Sequence, residues 1–213
     1  MSYADIESAI RPLRLIFWGG LLCVFDFNFS QTVNGSGFKF DVFNDAVGCA
    51  LIAWGAVVLA SIRVHDRYAK AMTFVKIVSI LAFFGAVRDH WIVRTPPIID
   101  FILNLFGLIT LVAIVVFCIA MRWFCEQARL VEAAASWRTT TILFIAIYLL
   151  PLGLLYIAGT IAIAANKSFY FNPGPLGLIV IPIFFVPIIH LFISTSRMKR
   201  SAELQSNPAH NES

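Results

Sequence analysis

The sequence predicts an all-α integral membrane protein: a six-helix transmembrane bundle with both termini in the cytoplasm. Three observations carry that expectation. The chain of 213 residues is 60% hydrophobic and only 13% charged, with a mean hydropathy of +0.84. A soluble domain carries about 25% charged residues, so this chain has too little polar surface to cover a globule in water. Six apolar runs also approach the roughly 20 helical residues that cross a bilayer core of about 30 Å: residues 10–28, 45–63, 70–88, 97–121, 138–164 and 175–195. Helices are the form these runs must take, because unpaired backbone groups are too costly in lipid. Finally, the basic residues divide unevenly between the ends of the runs. With the termini inside, Arg11, Arg14, Arg63, Arg67, Lys70, Arg122, Arg129, Arg138, Arg197, Lys199 and Arg200 face the cytoplasm, against Lys39, Arg88, Arg94 and Lys167 outside. That is the positive-inside pattern. Because the net charge of +4 is scattered over short hydrophilic breaks, it fits membrane topology and not a nucleic-acid stripe.

Residues 1–12 read as a short interfacial helix with a capping box at Ser2 and Asp5, Ile6 and Ile10 on one face, and Pro12 as its end. Arg11 and Arg14 ahead of an apolar core resemble a signal peptide. No A-x-A site follows, only Asp26, Phe27 and Asn28, so the first run is read as a retained helix.

Between the first two runs lies "FDFNFSQTVNGSGFKFDVFND". It alternates like a β-hairpin around Asn34-Gly35-Ser36-Gly37. It also permits helix one to run on through Phe25 and Phe29, with the rest a loop anchored by aromatic rings, and span length favours this second reading. Asn44 and Asp45 then cap helix two, and Asp41 closes an Asx-turn. Helix two carries Ala46, Ala50, Ala53, Ala56 and Ala60 at spacings that admit a close neighbour. In helix three, Lys76 is long enough to snorkel to the cytoplasmic boundary, with a counter-ion role as the alternative.

Asp100 and Asn104 share one face of helix four, and "RWFCEQARLVEAAASWR" reads as an extension of that helix beyond the membrane. Glu126, Arg129 and Glu132, at i, i+3 spacing, support the extension. Pro151 with Gly153 and Gly159 predicts a bent helix five; Pro182 and Pro187 loosen helix six ahead of His190. Trp91 and Tyr170 mark an outer aromatic belt and Tyr68, Trp123 and Trp137 an inner one. Residues 197–213 read as a disordered cytoplasmic tail.

Asp26 and Asn28, followed by Phe40, Asp41, Asp45 and Gly48, resemble a hairpin found in uncharacterised bacterial multi-pass membrane proteins. There an Asp-x-Asn ends helix one, and Phe-Asp and Asp-x-x-Gly open helix two. The resemblance covers about 25 residues and implies a bacterial cell membrane, the inner one, but no activity. This chain departs from the pattern with Asn44 where proline is more typical, and with a longer Gly-Ser turn.

Candidate functional residues gather at the outer ends of the first four helices: Asp26, Asn28, Arg88, Asp89, Asp100 and Asn104. A structural ion-pair network, Arg88 or Arg94 with Asp100 or Asp26, is the first reading. A cation or proton site is the second. A metal site at His90 lacks a second histidine at ligand spacing. Cys23, Cys49, Cys118 and Cys125 form no C-x-x-C pair. No nucleophile elbow, zinc-protease motif, P-loop or dinucleotide fingerprint is present. The expectation is a non-enzymatic structural or accessory membrane component without a cofactor, partnered by the lipid bilayer and by other membrane helices, its own or a second subunit's. A small-solute or ion transporter using the outer cluster is the alternative, and a membrane-embedded enzyme the next.

Overall fold

The computed structural model describes residues 3–24, 28–33, 36–41, 45–89, 97–165 and 176–206. Apart from one hairpin and short turns at 62–65, 128–130 and 165, these are helical. The elements are α1 (Tyr3–Val24), β1 (Asn28–Val33), β2 (Ser36–Asp41), α2 (Asp45–Ser61), α3 (Asp66–Asp89), α4 (Pro97–Gln127), α5 (Val131–Phe144), a π-helical turn (Ile145–Leu149), α6 (Leu150–Ala164) and α7 (Leu176–Ser206). Among the described residues, Asp66–Arg88, Phe101–Gln127 and Val131–Ala164 are helices long and apolar enough to cross a membrane, and Asp45–Ser61 is a shorter apolar helix.

Local chemistry sets the helix ends. The Asp45 and Asp66 carboxylates stand in the first turns of α2 and α3, where the helix dipole favours negative charge. His65 caps α3, its Nδ1 accepting from the Tyr68 amide at 3.0 Å. Pro97 opens α4, where its missing N–H costs nothing. The end of α4 is a Schellman turn. Arg129 takes a left-handed φ of 59°, the Leu130 amide donates to the Cys125 carbonyl at 2.9 Å, and the Arg129 amide donates to Glu126 at 3.1 Å.

The helices close into a ring. From α1 to α5 each helix packs on the next, α4 also packs on α6, α5 packs on α7, and α7 returns to α1. The largest fully buried side chains, among them Leu13, Leu59, Tyr68, Phe124 and Trp137, come from the first half of α1, the ends of α2 and α4, and the starts of α3 and α5. These parts form one dense end of the bundle. The outside of the ring is apolar: Trp54, Phe84 and Leu154 are 65%, 61% and 67% exposed. Such a continuous apolar exterior suits hydrocarbon and not water.

The α1–α2 seam is built on glycine. A Cβ on Gly19 would lie 2.5 Å from the Gly48 carbonyl, and one on Gly55 would lie 2.7 Å from the Pro12 carbonyl. Of the predicted alanine stripe, Ala53 and Ala56 are buried, while Ala46, Ala50 and Ala60 are only half-buried.

Several expectations need correction. Helix one does not run on through Phe25 and Phe29: α1 ends at Val24, and Phe29 lies in β1, paired with Phe40 as Asn28 is with Asp41. The alternating residues satisfy their backbone groups across two strands, as hairpin chemistry allows. Pro12 does not end a separate interfacial helix; it lies inside α1. An interior proline costs about 3 kcal/mol, whereas burying Ile6, Ile10, Leu13 and Ile16 on one face contributes about 1.5–3 kcal/mol each.

The segment after α4 does not simply extend that helix. It breaks at Arg129, and Val131 onward belongs to α5, because Leu130 and Ala133 are drawn into the core. The supporting pairs fall across that break, and Glu126 pairs instead with Arg122 at 2.7 Å. Tyr68 and Trp137 are not belt residues but fully buried. The tail is helical as far as Ser206, with Met198 and Ala202 buried; residues 207–213 lie outside the described residues, as do Trp91 and Tyr170.

Candidate functional site

Inside the ring is a chamber of about 280 Å³. Its wall is made by Ile16 and Phe17 from α1, Ala56 from α2, Val78 from α3, Ala113 from α4, Phe144 from α5 and Leu191 from α7. The hydroxyl groups on that wall are bonded to backbone carbonyls. Ser79 donates its hydroxyl to the Lys76 carbonyl at 3.0 Å, Thr110 to Phe106 at 3.0 Å, and Tyr148 to Phe184 at 2.7 Å. Cys23 and Cys49 border it with their sulfurs 4.0 Å apart. An apolar cavity of about 150 Å³ stays dry and takes a benzene ring. The chamber therefore suits an apolar ligand and offers water nothing to bind.

Beside the chamber, proline removes an amide donor from two of the helices. Pro151 follows the π-helical turn that carries Tyr148. Pro187 deprives the carbonyl of residue 183 of its amide partner. One residue on, the Phe184 carbonyl receives the Tyr148 hydroxyl, so the two interrupted helices are tied together beside the chamber.

A polar ladder joins α5 to α7 nearby. Ser136 and Thr140 lie one turn apart on α5, and His190 and Ser194 one turn apart on α7. The Ser136–Ser194 and Thr140–Ser194 oxygens are each 2.8 Å apart, and Thr140 Oγ1 lies 2.9 Å from His190 Nδ1. Arg197 reaches Ser136 Oγ at 3.5 Å. A guanidinium only donates, so one proton order satisfies every member: Arg197 to Ser136, Ser136 to Ser194, Ser194 to Thr140, and Thr140 to an unprotonated Nδ1. Ser136, Thr140 and Ser194 are buried, and His190 is half-buried. Among the described residues no carboxylate takes part in the ladder. Its evident work is to hold two helices together.

The residues expected at the outer cluster are placed as follows. Asp26 lies outside the described residues. Asn28 is the first residue of β1, Asp89 the last of α3, and Asp100 lies in the first turn of α4, but their side chains are not among those described. Arg88 is half-buried near the end of α3. Asn104 is half-buried, and its amide faces Gly159 of α6, where a Cβ would lie 3.4 Å from Nδ2. Lys76 is half-buried on α3. Among the described residues no group of three His, Cys, Asp or Glu side chains is placed to hold a metal ion.

Sequence reasoning missed the chamber and the ladder. The ladder's signal was the i, i+4 spacing of hydroxyl and imidazole residues within two apolar helices. The chamber had none, since its wall reads as ordinary core. No protein-family model matches the chain, and no curated protein or solved structure matches it.

Proposed function

We propose that the protein is a six-span integral membrane protein, with both termini in the cytoplasm, that holds an apolar lipid chain inside its helical ring and carries out no catalysis. The chamber carries this reading: an apolar space of about 280 Å³ lined by helices whose outer faces are also apolar. A void of that size forfeits dispersion contacts along its whole lining, and an acyl or isoprenoid chain from the surrounding bilayer restores them. The Asp26/Asn28 and Phe40/Asp41 resemblance favours a bacterial inner membrane as the setting. The six-span reading takes α1, α2, α3, α4, the continuous α5–α6 helix and α7 as the spans; the three long apolar helices and the positive-inside pattern support it.

Two measurements test the proposal. A reporter active only in the cytoplasm should work at the C-terminus and fail after Asn34; the reverse would overturn the orientation. Native mass spectrometry of the gently extracted protein should show a retained lipid, and Ala113→Phe, which puts a ring into the chamber, should abolish it without loss of helix content. A variant that keeps its lipid would show that the chain binds elsewhere.

A solute carrier is the second reading. The proline-interrupted turns of Pro151 and Pro187 beside the chamber favour it, because transporters build their sites from broken helices. Flux of ions or small solutes into vesicles reconstituted with the protein would establish it.

A further inference from the structure

At the dense end of the ring, a cleft of about 380 Å³ opens between the first half of α1 and the last part of α7. Its floor is apolar, made by Ile6, Ile10 and Ala202, all buried. Its rim is charged. Glu7, Arg11 and Arg14 project from one face of α1 at i, i+4 and i+7, and Lys199 reaches in from α7. Lys199 is held by Glu203 at 3.4 Å. Arg11 and Arg14 are exposed and form no ion pair among the described residues. Three cations and one carboxylate line the cleft, leaving an excess of positive charge over an apolar floor.

We propose that this cleft binds a phosphate-bearing anion, and that its source is the headgroup of an anionic phospholipid in the cytoplasmic leaflet. Guanidinium groups grip phosphate oxygens through paired, charge-assisted hydrogen bonds. The apolar floor accommodates the glycerol and the first methylenes of the same lipid, which a soluble phosphate does not have. The leaflet source rests on the membrane orientation proposed above. Basic residues gather at any cytoplasmic boundary, and such charges attract anionic lipid diffusely. This cleft differs in shape: it collects cations from two helices around a single bounded volume, so its binding saturates.

The test uses the full chain in neutral detergent, titrated separately with phosphatidylglycerol, phosphatidylcholine and inorganic phosphate, and read by native mass spectrometry and thermal melting. Phosphatidylglycerol should saturate at about one tightly held molecule per chain and raise the melting temperature, and phosphatidylcholine should do neither. Arg11→Gln with Arg14→Gln should weaken phosphatidylglycerol binding at least tenfold. Arg138→Gln with Arg200→Gln, which removes equal charge from exposed positions outside the cleft, should change it less than twofold. Lys199→Gln gives an independent variant from α7 with the same expected direction.

Equal losses in both double variants would reduce the effect to diffuse attraction and overturn the site. So would the absence of any saturable binding. Inorganic phosphate binding as tightly as phosphatidylglycerol would overturn the lipid source. Resistance of the protein to extraction from membranes by alkaline carbonate reads the membrane assignment separately, so failure of the cleft and failure of that assignment are distinguishable.

Discussion

Thr140 is the residue on which the α5–α7 contact turns. Its single hydroxyl proton has three acceptors in reach: the Ser136 carbonyl at 3.2 Å, Ser194 Oγ at 2.8 Å and His190 Nδ1 at 2.9 Å. Thr140→Val keeps the shape and removes the hydroxyl, leaving Ser194 and His190 without that partner. Hydrogen bonds between membrane helices average about 0.6 kcal/mol and reach about 1.7. The variant should therefore lose about 1–2 kcal/mol in a detergent unfolding titration, and Thr140→Ser should lose less than half of that. A Thr140→Val protein as stable as wild type, with the loss appearing in Thr140→Ser instead, would mean that the methyl group's packing, and not the ladder, holds the helices. The pairs Ser136/Thr140 and His190/Ser194 were visible in the sequence as same-face positions, but their partnership was not. Nothing in a linear chain says that α5 lies beside α7 when α6 intervenes. The chemistry of each residue was legible, and its neighbour was a tertiary fact.

At the scale of elements, the α1–α2 seam shows where reading by composition stopped short. The alanines of α2 mark a close neighbour, but very close approach occurs at Gly48 and Gly55, where the opposing atoms include the Gly19 and Pro12 carbonyls, which cannot move aside cheaply. Gly48→Ala would set a methyl 2.8 Å from the Gly19 carbonyl and 2.6 Å from Cys23 Sγ. Overpacking of this kind costs about 1–3 kcal/mol, and here it should also part the two helices. Cys23 and Cys49 report on that parting, since their sulfurs stand 4.0 Å apart and a mild oxidant needs only a small shift to join them. The wild type should cross-link readily, as loss of maleimide-reactive thiols, and Gly48→Ala should do so several-fold more slowly. An unchanged rate would mean that the seam absorbs the methyl. The same seam explains Pro12: as a local signal proline ends a helix, but the residue is buried with its carbonyl packed against Gly55 of α2, and the buried face of α1 outweighs the lost hydrogen bond.

For the whole molecule, run lengths and hydropathy made the helices legible without the order in which they close. The closing element is α7, whose last turns lie beyond the sixth apolar run in a segment that reads as polar tail. That reading failed because only one side of the segment is polar. Met198 and Ala202 are buried, Lys199 pairs with Glu203, and Gln205 donates to the Arg129 carbonyl at 3.1 Å, bracing the left-handed turn between α4 and α5. Lys199 and Ala202 share a cleft with α1, Arg197 reaches Ser136 of α5, and Gln205 reaches that turn, all from residues that hydropathy assigns to solvent. Truncation separates the two accounts. Removing residues 207–213 should leave the melting temperature unchanged. Removing everything after Thr195 should destabilise the ring strongly, since loss of the Met198 side chain alone costs about 2–5 kcal/mol when a core methionine is cut back. Met198→Ala in the full chain supplies that smaller step if the truncated protein does not accumulate. A Met198→Ala protein that melted like wild type would show that the ring closes without the α7 extension, through the contacts of α1 and α5 with the apolar part of α7 alone.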